Sequence, residues 1–199
     1  MRLLDRAARV AAAGLAVWAA LAVAAPEARA EAAPAALAEA LARPGATAIM
    51  RHALAPGGGD PAGFALGDCA TQRNLDARGR AQARAVGAAL RAAGVRFDRV
   101  LTSRWCRCRE TAELLDAGPV EALPALDSFF EARHRRQAQT AALRAFLDGL
   151  PAGERVMLVT HYVNVQALTG RAVGSGEVLA LSRGPDGEVE VLEAWQRSP

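Results

Sequence analysis

Two short apolar runs in this chain each end in a histidine. Ala46-Thr47-Ala48-Ile49-Met50 leads into Arg51-His52, and Val156-Met157-Leu158-Val159 leads into Thr160-His161. Runs of this length between turn signals fit fully buried strands, which belong to parallel sheets covered by helices on both faces. In open sheets of that kind, ligands sit beyond the carboxyl ends of the strands. A histidine at a strand exit does little for a core, and two of them do less. The pattern predicts an α/β chain whose two imidazoles face one crevice, with Arg51 beside the first.

The remaining elements agree with that class. Glu31 to Arg43 reads as a short amphipathic helix ended by Pro44-Gly45, and residues 46–51 as the first strand. Residues 52–75 form a long polar, glycine-rich loop beside the crevice, a length that is usually functional. Asp76 caps a helix that runs to about Ala93 and stops at Gly94. Residues 98–102, 119–123 and 155–160 read as strands. Residues 105–116, 137–150 and 163–168 read as helices. Val178–Leu181 and Val189–Leu192 flank Gly184-Pro185-Asp186-Gly187 as a hairpin. The expected fold is a three-layer α/β sandwich: a mostly parallel sheet, helices on both faces and a C-terminal β-hairpin. A length of 199 residues with 52% hydrophobic content suits one domain.

The first thirty residues are expected to be a leader. Arg2, Arg6 and Arg9 precede an apolar stretch from Val10 to Ala25, and Ala28-Arg29-Ala30 offers a small-x-small cleavage site. Residues 1–30 are thus read as a signal peptide and 31–199 as the single mature domain, periplasmic or secreted. An uncleaved anchor is the alternative. Every basic residue of the chain is arginine, and cleavage takes the formal net charge from +3 to +1. The basic balance therefore argues for neither nucleic acid nor a stable membrane association of the mature domain. Cys69, Cys106 and Cys108 remain after cleavage. Outside the cytosol a disulfide is expected between Cys69 and one of the other two, with one thiol left over.

A third strand end adds cations. Thr102-Ser103 opens into Arg104-Trp105-Cys106-Arg107-Cys108-Arg109, placing arginine in the first turn of a helix. A helix N-terminus already favours anions, so added guanidinium groups there point to a strongly negative ligand. Arg51, Arg107, His52 and His161 around one point describe a phosphate pocket, since guanidinium binds phosphoryl oxygens bidentately. The chain has no lysine, hence no P-loop, and no carboxylate cluster arranged for magnesium. Arginine and histidine are expected to supply the positive charge in place of a metal, and no cofactor is expected. Arg104 and Arg109 are expected on the surface, His134 in a solvated run, and Trp105 in packing. Phe129 and Phe130 either wall the cleft or cover the core.

These residues resemble the histidine phosphatase superfamily, over roughly residues 46–195. Arg51-His52 resembles its Arg-His-Gly motif. Leu75 with Gly79-Arg80-Ala81-Gln82-Ala83 resembles its Leu-x-x-x-Gly-x-x-Gln-Ala segment. Ser103, Arg107, Thr111 and Ala112 match Ser-x-x-x-Arg-x-x-x-Thr-Ala, and Thr160-His161 matches the second histidine motif. The resemblance implies that His52 is a nucleophile that becomes phosphohistidine, and that Arg51, Arg107 and His161 hold the phosphoryl oxygens, with Arg73 as a further ligand. A bound dianion would help keep His161 cationic. Two departures stand out. Ala53 replaces the motif glycine, a cost of about 1 kcal/mol if the position needs positive φ. The family's leaving-group acid has its nearest match at Leu126-Asp127-Ser128, so Asp127 or Glu131 takes that role, or the enzyme lacks an acid and prefers good leaving groups.

The expected activity is hydrolysis of a small phosphorylated substrate by an exported, metal-independent phosphatase. The competing class is a non-catalytic phosphate-ligand binding protein of the same fold, with Ala53 and the missing acid as marks of lost activity. A thiol enzyme using Cys106 or Cys108 is disfavoured by the absence of a Cys-x-x-x-x-x-Arg loop.

Overall fold

The computed structural model describes residues 26–151, 153–184 and 187–197. The run before His52 is strand β1 (Thr47–Arg51), and the run before His161 is β4 (Val156–Thr160). They lie side by side and parallel, with Arg51 opposite Thr160. On the far side of β4 come β2 (Arg99–Thr102) and then β3 (Val120–Ala122), both parallel to it. On the far side of β1 comes β5 (Glu177–Arg183), antiparallel to it, and then β6 (Val189–Gln196), antiparallel to β5. Among the described residues the sheet therefore runs β3-β2-β4-β1-β5-β6, the mostly parallel sheet with a terminal hairpin that the sequence predicts.

Alternation along the central strands sends residues to two separate cores. Ala48, Met50, Met157 and Val159 face one side, where α1 (Pro26–Leu41), α2 (Ala77–Ala92) and α3 (Cys106–Leu115) contribute Leu37, Val86, Leu90 and Leu115. Ile49 and Leu158 face the other, where α4 (Arg136–Asp148) and α5 (Tyr162–Thr169) contribute Leu143, Leu147, Val165 and Leu168. Both cores are mostly aliphatic, and each fully buried leucine or isoleucine is worth about 1.5–3 kcal/mol of transfer free energy. β6 continues four residues past the expected Leu192. Trp195 pairs with Val178 and is buried in the first core, so packing extends a strand whose polar alternation is weak.

Local chemistry sets the helix that backs the site. The Asp76 carboxylate accepts the Gly79 N–H at 2.7 Å and caps α2. Gly94 follows its end with φ +75°, as a terminating glycine should. Two glycines within α2 permit close approach: a Cβ on Gly79 would lie 1.9 Å from the Leu54 carbonyl oxygen, and one on Gly87 would lie 1.9 Å from that of Leu115. The expected leader, residues 1–30, lies outside the described residues as far as residue 25. α1 starts at Pro26, earlier than the predicted Glu31. Among the described residues no helix is long and apolar enough to cross a membrane.

Candidate active site

Parallel pairing brings three strand exits into line. The His52 N–H donates to the Thr160 carbonyl at 2.9 Å, and the Ser103 N–H donates to that of Val159 at 3.0 Å. His52 and His161 thus emerge side by side, with ring centroids 5.6 Å apart. They open on a cavity of about 620 Å³, which Arg51, Arg73, Arg107 and Glu131 also line. That volume lies in the range of small-molecule sites.

His52 is only 2% exposed. Its Nδ1 lies 2.8 Å from the Ala53 carbonyl oxygen. A carbonyl only accepts, so Nδ1 carries the proton and Nε2 keeps its lone pair. Burial, and after it the charge of Arg107, pushes the His52 pKa from 6.5 down to about 3. The ring is neutral at neutral pH, with the Nε2 lone pair free.

His161 sits at the N-cap of α5 with both ring nitrogens engaged. Nε2 lies 2.8 Å from Ser103 Oγ, and Arg107 Nη2 faces Nδ1 at 3.5 Å. Arginine only donates, so Nδ1 accepts and Nε2 carries the proton. Burial, then His52 and Arg107, lowers the pKa well below the ordinary value. In the free site His161 is therefore neutral, where the sequence reading had a bound dianion favouring the cation.

Ser103 passes this contact on to Asp127, whose Oδ1 lies 3.4 Å from Ser103 Oγ. Here the structure corrects the sequence reading of Asp127 as a leaving-group acid. Asp127 is 1% exposed and does not line the cavity. Its carboxylate accepts the Arg104 N–H at 2.9 Å and the Arg104 guanidinium at 2.5 and 2.8 Å. A carboxylate occupied by a guanidinium fork and set back from the cavity wall has no reach to a leaving group. Glu131 is exposed and reaches the cavity wall. Phe129 is buried, whereas Phe130 is 44% exposed and lines the cavity, which separates the two aromatic roles.

The guanidinium groups converge as the sequence suggests. Arg51 donates to the Val173 carbonyl at 3.2 Å and lies over the Tyr162 ring. Arg73 donates from Nε to the Gly59 carbonyl at 2.8 Å and from Nη1 to that of Ala55. Burial lowers the pKa of both, and Arg107 adds to it, yet arginine keeps its charge. The Nε–H groups of Arg51 and Arg107 are buried with no partner in the protein. Arg104 and Arg109 do not line the cavity; Arg109 instead faces Glu113 at 3.7 Å.

Asp60, which sequence reasoning passed over, lies in this cluster. Its Oδ1 accepts from Arg107 Nη1 at 2.7 Å and from the Arg73 N–H at 3.1 Å. Its Oδ2 accepts from Arg107 Nη2 at 3.2 Å and from the Trp105 indole N–H at 3.0 Å. Burial pushes the Asp60 pKa up, but the Arg107 hydrogen bond and charge, with Trp105, outweigh it and hold the carboxyl below its ordinary range. A single acid after three glycines carries no local signal for this pairing.

Other polar side chains pin the scaffold. Thr111 Oγ1 accepts the Ala53 N–H at 3.1 Å and donates to the Arg107 carbonyl at 2.7 Å, joining the first strand exit to α3. Gln82 accepts the Leu54 N–H and donates to the carbonyls of Ser175 and Arg197. Asp116 is the one non-glycine residue with positive φ among the described residues, so Ala53 sits without the strain its motif position suggested. Cys69 and Cys106 form a disulfide that fastens the long loop to the first turn of α3. Cys108 is buried, and burial pushes its thiol up to about 12. Cys106 is oxidised and Cys108 is held as a thiol, so neither supplies a thiolate nucleophile. Among the described residues no group of three or more His, Cys, Asp or Glu side chains is arranged to hold a metal ion.

Comparison with known proteins follows the same lines. Residues 48–141 match the sequence model of the histidine phosphatase superfamily (branch 1). No curated protein matches the chain. Among solved structures, the protein histidine phosphatase SixA complexed with tungstate superposes with a TM-score of 0.52 at 20% identity, covering 76% of this chain and 96% of its own. Bacillus stearothermophilus YhfR does so with 0.52 at 19%, covering 73% and 94%. A mycobacterial glucosyl-3-phosphoglycerate phosphatase does so with 0.53 at 16%, covering 77% and 99%. At these identities the likeness shows a shared fold, and the sequence match adds the family. Residues 48–141 carry the sequence pattern of the histidine phosphatase superfamily, and the fold of the described residues agrees with it.

Proposed function

We propose that the protein is an exported phosphatase that works through a phosphohistidine at His52 and needs no metal. One observation carries the reading: a neutral, buried imidazole with a free Nε2 shares a cavity with Arg51, Arg73 and Arg107. Three guanidinium groups supply the charge stabilisation that metal ions supply in other phosphoryl-transfer sites. The unpartnered Nε–H groups of Arg51 and Arg107 support an anionic ligand, because buried donors are rarely left unpaired.

In the first step His52 Nε2 attacks phosphorus and the P–O bond to the leaving group breaks. The ring becomes cationic, and its Nδ1–H bond to the Ala53 carbonyl strengthens as it does so. Glu131, at the cavity wall, gives its proton to the leaving oxygen. In the second step Glu131 takes a proton from water as that water attacks phosphorus. The P–N bond then breaks, and inorganic phosphate and free His52 result. His161 places a second imidazole against the phosphoryl oxygens, oriented by Ser103. The disulfide supports export, since such bonds persist in oxidising compartments.

The test is turnover of a small aryl phosphate with chelator present, joined to mass analysis of the His52 peptide after an alkaline quench. Hydrolysis with a phosphoryl adduct on His52 is expected. Phosphate binding without turnover would favour the binding-protein reading, which has lost Ala53 strain as one of its two supports.

A further inference from the structure

The five N–H bonds of Arg107 can be accounted for one by one. Nη1 donates to Asp60 Oδ1 at 2.7 Å and to the Arg73 carbonyl at 3.3 Å. Nη2 donates to Asp60 Oδ2 at 3.2 Å and faces His161 Nδ1 at 3.5 Å. Nε is unpartnered. The outward fork, the part of a guanidinium that matches two oxygens of a tetrahedral anion, is thus filled by a carboxylate of the protein itself. Asp60 lines the cavity, so it sits where an arriving phosphoryl group has to go.

We propose that Asp60 sets an affinity threshold by charge: it occupies the Arg107 fork as an internal competitor whose displacement costs every ligand alike, so that dianionic groups clear the threshold and monoanionic groups do not. The inference rests on the reading above that a phosphoryl group docks at Arg107. A monoanion that takes the fork replaces one negative charge by another. It gains nothing there, while Asp60 gives up the Trp105 indole and the Arg73 N–H as well. A dianion brings about twice the Coulomb attraction to Arg107 and meets Arg51 and Arg73 with the same excess. Displacement is mechanically open. Asp60 follows Gly57, Gly58 and Gly59, and the first and third of these have φ of +91° and +67°. The site thereby rejects phosphodiesters and sulfate esters, which share the shape of a phosphomonoester but carry one charge.

Phenylphosphonate and benzenesulfonate test this directly, since in mildly alkaline buffer they match in size and carry two charges and one. Calorimetric titration of the full chain should show phenylphosphonate binding with benzenesulfonate about 100-fold weaker, and Asp60→Asn should tighten both by about tenfold. Phenylphosphonate should gain at least as much as benzenesulfonate, because loss of the competitor relieves every ligand that takes the fork. Asp60→Asn keeps an acceptor for Trp105 and so preserves folding; Asp60→Ala repeats the measurement with no acceptor, and thermal melts verify both. Affinities that stay unchanged in both variants, or weaken for both ligands, would overturn the proposal and leave Asp60 as a prop for Arg107. Failure of the wild-type chain to bind phenylphosphonate at all would overturn the docking reading and this inference together. The expected binding pattern without aryl phosphate turnover would uphold the inference and defeat the phosphatase reading alone.

Discussion

At the exit of β1, His52 is held by one hydrogen bond to the next residue's carbonyl, and its other nitrogen is left open. At the exit of β4, His161 is engaged at both nitrogens, by Ser103 and Arg107. Both rings are buried, both sit beside the same cations, and both have lowered pKa values. The difference lies in connectivity. A ring with a free lone pair can form a bond to phosphorus; a ring committed on both edges can only orient and stabilise. Chemistry this asymmetric at two equivalent strand ends shows that position in the fold brings groups together, and hydrogen bonding assigns their tasks.

The contrast is broken most severely by His52→Ala. We expect hydrolysis of an aryl phosphate to fall about 10⁴-fold or more, while phosphate binding measured by calorimetry stays near that of the parent. His161→Gln removes a stabilising group but not the nucleophile, and should cost about 10²–10³-fold in kcat. Ser103→Ala leaves His161 in place with one edge loosened, and about tenfold is expected in the same assay. Acid sharpens the comparison from the stability side. Unfolded His52 takes a proton near 6.5, and the folded ring only near 3. Acid therefore favours the unfolded chain, and the melting temperature should fall as pH drops through that window. His52→Gln should flatten the fall, leaving the part that belongs to His161. The smallest effect is expected from Thr111→Val, which strands the Ala53 N–H and should remove about 1–3 kcal/mol in chemical denaturation.

The framework of this site was legible because it rests on local patterns. The two apolar runs read as strands, and parallel pairing then forced His52 and His161 to a common edge. Arg51 and Arg107 followed from their places beside a strand end and in a first helical turn. What escaped depends on contacts between distant segments. Asp60 meets Arg107 across 47 residues of sequence, and nothing in Gly59-Asp60-Pro61 announces it. Asp127 looked like an acid by its spacing, but it is buried off the cavity with the Arg104 side chain folded back onto it. Ala53 raised a concern about positive φ that only backbone geometry could dispel. The far end of β6 was missed because Trp195, the residue that justifies it, stands among polar neighbours.

The two glycines of α2 carry a consequence for anyone building variant libraries on this scaffold. Neither touches a ligand, yet the smallest side chain at residue 79 or 87 would collide with main-chain oxygen, which has no rotamer to escape into. The helix would have to lift away, taking with it the spacing between the segment after His52 and the helix that carries Arg107. Randomisation should spare these two codons before it spares much of the pocket lining, because there a single methyl group acts as a shim driven into the hinge of the whole device.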